Sequence, residues 1–90
     1  MTSIERHLRS AATEIGCEIN AYTETSRILL SEETFDEVPT IYIDFIVAKK
    51  GNGKMKQVWF YMRRDLANNE RKSMDAAKEF KAVIKQEFYE

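Results

Sequence analysis

The chain has 90 residues, of which 43% are hydrophobic, 11% aromatic and 32% charged, with three Gly and one Pro. This composition describes one folded domain, residues 1–90, and excludes a collagenous, low-complexity or disordered protein. Its net charge of −1 divides into −6 over residues 1–44 and +5 over residues 45–90. No apolar run approaches the ~18–20 residues of a membrane span, and the opening residues lack the apolar stretch of a signal peptide, so a cytoplasmic protein without membrane association is expected. The lone Cys17 excludes an internal disulfide and a thiolate metal cluster.

Apolar residues at Ile4, Leu8, Ala11, Ala12 and Ile15 follow the helical period, Thr2 and Glu5 have the spacing of a capping box, and Gly16 suits the residue past the last turn. From Cys17 the period becomes two, and a strand is expected to Leu30, with a bulge near Thr25. Residues 31–39 read as an acidic loop with a helical turn capped by Ser31, and Pro39 suits the start of the next strand. Thr40 to Lys50 and Lys54 to Arg64 form a hairpin about Gly51-Asn52-Gly53, whose residues accept the positive φ that hairpin turns demand. A last helix is expected over residues 73–88, with a stripe of Ala77, Phe80, Ile84 and Phe88 and with Met74 and Val83 beside it.

The order α-β-β-β-α predicts an α+β two-layer sandwich, a three-stranded antiparallel sheet with both helices on one face. Ile41, Ile43, Phe45, Val47, Val58, Phe60 and Met62 then point to the helices. The other face carries Tyr42, Asp44, Ile46, Gln57, Trp59, Tyr61 and Arg63, with Tyr22 able to join from the first strand.

No grouping of catalytic residues emerges. His7 has no partners at metal-ligand spacing and is expected to be exposed on its helix, Cys17 suits packing at a strand start, and the Gly-rich turn opens no helix as a phosphate loop would. The paired acids Glu32/Glu33 and Asp36/Glu37 lie in a loop with no apolar neighbourhood to raise a carboxyl pKa. The expectation is a non-enzyme with no cofactor and no metal.

Exposed aromatic area on a small protein marks a partner surface, and Trp, Tyr and Arg dominate interface hot spots. The leading expectation is a protein-binding module, an inhibitor or regulator of a larger complex, with Tyr42, Trp59, Tyr61 and Arg63 as its site. Phage-encoded blockers of host machinery such as anti-CRISPR proteins are an analogy of type, carried by no motif. The alternative is nucleic acid held by Lys49, Lys50, Lys54, Lys56 and Arg64, since residues 45–64 contain six bases and no acid beside the aromatic rings. The element order resembles that of the double-stranded-RNA-binding domain, which implies phosphate contacts at the start of the last helix, where Arg71, Lys72 and Lys78 stand. That family's Lys-Lys-x-Ala-Lys signature and glycine-rich strand connection do not occur here. A weak homodimer through the aromatic face is the third reading, and a monomer is favoured because Arg63 and Asp44 would each meet their own copy near a two-fold axis.

Overall fold

A computed structural model of the chain describes residues 1–89. Helix α1 (Ser3–Glu14) is followed by strands β1 (Cys17–Leu30), β2 (Glu37–Lys49) and β3 (Met55–Arg63), a short 3-10 turn (Leu66–Asn68) and helix α2 (Glu70–Tyr89). The sheet is antiparallel in the order β1-β2-β3. Both helices lie on one face, as the single apolar stripe on each requires. Among the described residues no helix is long and apolar enough to cross a membrane.

The local signals act as expected at most boundaries. The Thr2 hydroxyl accepts from the Glu5 N–H at 3.3 Å, while the Glu5 carboxylate turns forward to Arg9 at 2.9 Å, so the box closes on one side only. Gly16 takes φ +71°. At the hairpin the Lys49 N–H donates to the Lys54 carbonyl, Gly51 and Gly53 take φ +91° and +74°, and the Asn52 side chain accepts from the Lys54 N–H. Helix α2 begins three residues before the expected Ser73, because Asn69 Oδ1 accepts from the Lys72 N–H and caps the first turn. Strand β2 begins at Glu37, ahead of Pro39. Pro39 is tolerated inside it because its nitrogen faces the β3 side just beyond Arg63, the last residue of β3.

The core is a layer between helices and sheet. Ile4, Leu8, Ala11 and Ala12 of α1 meet Ala77, Phe80, Ile84 and Phe88 of α2 and Ile41, Ile43, Phe45 and Val47 of β2. Phe45 sits at its centre, with the rings of Tyr22, Phe60 and Phe80 at 5.7, 6.3 and 5.6 Å. Cys17 is fully buried, as its packing role requires, and burial pushes its thiol pKa up. Met74 and Val83 are both more than half exposed, since they flank the buried stripe on opposite sides, Met74 next to α1 and Val83 next to β3.

The bulge lies at Ala21 and Tyr22, four residues before the expected Thr25: Asn20 pairs with Ile46 and Thr23 with Asp44, leaving two residues opposite Phe45. Ala21 absorbs the extra residue with φ +54°. Tyr22 is thereby turned to the helix side and stacks on Phe45, so it does not join the aromatic face. Its hydroxyl and that of Thr2 both donate to one Glu24 oxygen at 2.6 Å, and the Arg9 guanidinium covers its ring. Burial, then the Glu24 carboxylate, raise the Tyr22 pKa far above the ordinary phenol value.

Candidate functional site

No helix covers the second face of the sheet. Down its middle the register sets Tyr42 opposite Tyr61 and Asp44 opposite Trp59. The Tyr42 ring lies 5.1 Å from that of Tyr61 and 6.4 Å from that of Trp59, a continuous three-ring cluster across β2 and β3. Mutual contact half-buries Tyr42, whereas Trp59 and Tyr61 on the edge strand keep 61% and 46% of their surface in solvent. Three of the four residues expected as a protein-binding site therefore form one cluster. Arg63, the fourth, is two residues from Tyr61 on the same face and holds Asp65 in a two-bond ion pair at 2.9 and 3.2 Å.

Two polar groups complete the patch. Arg27 of β1 lays its guanidinium 5.2 Å from the centre of the Tyr42 ring, and Asp44 accepts from the Gln57 amide at 3.0 Å. Arg27 was not legible as a site residue. Its placement follows from the bulge, which puts Thr23, Thr25 and Arg27 on the open face and Tyr22 and Glu24 on the other.

The basic residues of the nucleic-acid alternative are not brought together. Lys49 points to the helix side, where its ammonium donates to the Phe88 carbonyl at 3.3 Å and stands 3.8 Å from the centre of the Tyr89 ring. Lys56 also points that way and pairs with Glu87 at 3.1 Å. Both lysines complement the negative end of α2, which carries no other basic residue in its last turn. Lys50, Lys54 and Arg64 remain exposed, the first two at the hairpin turn and the third at the opposite end of β3. Arg71, Lys72 and Lys78 are exposed along α2.

His7 is not the exposed helix residue expected. It is partly buried, and its Nε2 lies 2.8 Å from a Glu70 oxygen. Glu70 also accepts from Ser3 and Arg6, and the His7 hydrogen bond, followed by that of Ser3, holds its carboxyl below the usual range. The acids Glu32, Glu33, Asp36 and Glu37 are all exposed at the tip of the β1–β2 hairpin. Among the described residues no group of three or more His, Cys, Asp or Glu is arranged to hold a metal ion.

Comparison of the chain with protein-family models, with curated proteins and with solved structures found no match.

Proposed function

We propose that this chain is a non-enzymatic protein-binding module, an inhibitor or regulator, that docks through its open sheet face with Trp59 and Tyr61 as anchors, Tyr42 supporting them and Arg27 and Arg63 at the rim. The observation that carries the reading is an exposed Trp and Tyr two residues apart on one strand, both packed against Tyr42, on a face that neither helix covers. Rings fixed by cross-strand contacts lose little conformational freedom on binding, which favours them as anchors. The nucleic-acid alternative draws less support, because Lys49 and Lys56 are occupied at the end of α2.

The test is affinity capture with the wild-type protein and with a Trp59→Ala/Tyr61→Ala protein whose fold is verified by circular dichroism. A specific protein retained by the first and lost by the second supports the reading. Equal capture by both removes the face from the function.

A further inference from the structure

The outer edge of β3 is open and directional. The Arg64 N–H donates to the Pro39 carbonyl and the Lys49 N–H to the Lys54 carbonyl, so even-numbered positions along β3 pair with β2. Alternation in an antiparallel ladder then turns the N–H and C=O of Met55, Gln57, Trp59, Tyr61 and Arg63 outward. No described element pairs with them. The other edge of the sheet is treated differently: β1 is bent by its bulge, and the outward carbonyl of Ile19 is occupied by Arg9 at 3.0 Å. A bulge and a side chain that occupies an outward carbonyl protect that edge; β3 has a regular register without a bulge, and its charged residues cluster at its two ends, leaving Gln57, Val58, Trp59, Phe60, Tyr61 and Met62 uncharged between them.

Beside that edge lies unfilled space. Two helices each about 10 Å across cover roughly the width of four strands spaced ~4.8 Å apart. This sheet has three. The deficit appears as a groove of about 550 Å³ between α2 and β3, lined by Val58, Phe60, Phe80, Val83 and Ile84, with Val83 54% exposed.

We propose that the β3 edge takes an extended segment of a partner protein as a fourth strand. The segment carries apolar side chains at alternate positions, facing the groove, and acidic residues at its ends. The inference rests on the reading of this chain as a protein-binding module and adds the binding mode and the chemistry of the partner. Lys54 and Arg64, exposed at the two ends of the edge, select for negative charge opposite them, whereas Lys56 and Arg63 are already paired with Glu87 and Asp65. The same charges disfavour a second copy: antiparallel β3–β3 pairing centred on Trp59 would set Lys54 against Arg64 twice.

The probe is a capped nine-residue peptide, matching the length of β3, with two Glu at each end and Val alternating with Thr between them. Amide hydrogen exchange of the nitrogen-15-labelled protein is read by NMR with and without it. Slowed exchange at the N–H groups of Met55, Gln57, Trp59, Tyr61 and Arg63, with the intervening amides unchanged, is expected. A peptide with Lys in place of Glu should bind about tenfold more weakly or worse. Val83→Glu, on an exposed helix position, should weaken binding of the acidic peptide while leaving the fold intact. Absent binding, equal binding of the two peptides, or binding without the alternating protection overturns the proposal. A natural partner captured through Trp59 and Tyr61 that leaves those amides unprotected overturns strand addition alone and leaves the protein-binding reading standing.

Discussion

The Tyr89 hydroxyl donates a 2.6 Å hydrogen bond to the carbonyl of Ile15, joining the end of α2 to the end of α1. The same hydroxyl lies 3.3 Å from where a Cβ on Gly16 would stand, and Gly16 needs φ +71° besides. Removing the hydroxyl in Tyr89→Phe should lower stability by about 0.5–1.5 kcal/mol, and Gly16→Ala by about 1–3 kcal/mol, since it adds backbone strain to crowding. Urea denaturation curves of the two variants check both values.

The two sheet faces should respond in opposite ways to truncation. Phe45 is buried under three rings, and Phe45→Ala should cost about 3–5 kcal/mol, a large share of the stability of a domain this size. Trp59→Ala removes only the cross-strand contact with Tyr42 and should cost no more than about 1 kcal/mol. Equal losses of stability for the two variants would mean that the aromatic face belongs to the core.

Stability should fall at both ends of the pH range. Glu70, bound by His7 and then Ser3, and Glu14, bound by Lys81, both titrate below the ordinary carboxyl value of 4.5. A lowered folded-state value gives stabilisation that is complete above 4.5 and is lost as the pH drops through the folded-state value. Tyr22 is shifted the other way. The unfolded phenol releases its proton near pH 10 while the folded one keeps it, so stability declines as the pH rises past 10. In a urea series across pH, Glu70→Gln should flatten the acid limb and Tyr22→Phe the alkaline one.

Light scattering over a concentration series should give the monomer mass of 10.5 kDa throughout. A two-fold contact through the open face would place Arg63 and Asp44 near their own copies, where like charges repel. A dimer that dissociates on Trp59→Ala would assign the face to self-association instead.

The order of elements was legible because the apolar period changes at Gly16 and again after Asp65, and because Gly51-Asn52-Gly53 marks the hairpin. The aromatic face was legible for the same reason: Tyr42, Trp59 and Tyr61 are out of phase with Phe45 and Phe60, and alternation fixes opposite sides. The helix-side placement of Lys49 and Lys56 could have been read from their phase with Val47 and Val58, but their charge suggested solvent. The bulge was harder. Alternation from Cys17 runs on through Ala21 without a visible break, and an alanine at positive φ has no local signature, so the sides of Tyr22 and Arg27 depended on tertiary contacts. The groove was invisible because it arises from a mismatch in width between layers that no single segment encodes.

The β1–β2 ladder continues past the end of β3: Ile28 pairs with Pro39, Leu29 with Val38 and Leu30 with Glu37, and beyond the Arg64 N–H bond to the Pro39 carbonyl no described strand flanks them. This two-stranded finger, tipped by exposed Phe35, lacks the third strand that supports the rest of the sheet, and is expected to open before it. A backbone break between Glu33 and Thr34 would divide the chain into an α1–β1 piece and a β2–β3–α2 piece. Each piece retains one helix, and the long β1–β2 ladder together with the α1–α2 contact provides the surface on which they recombine. The two pieces, expressed separately and mixed, should recover the circular dichroism spectrum of the intact chain, which would make the finger the natural place to divide this fold in two.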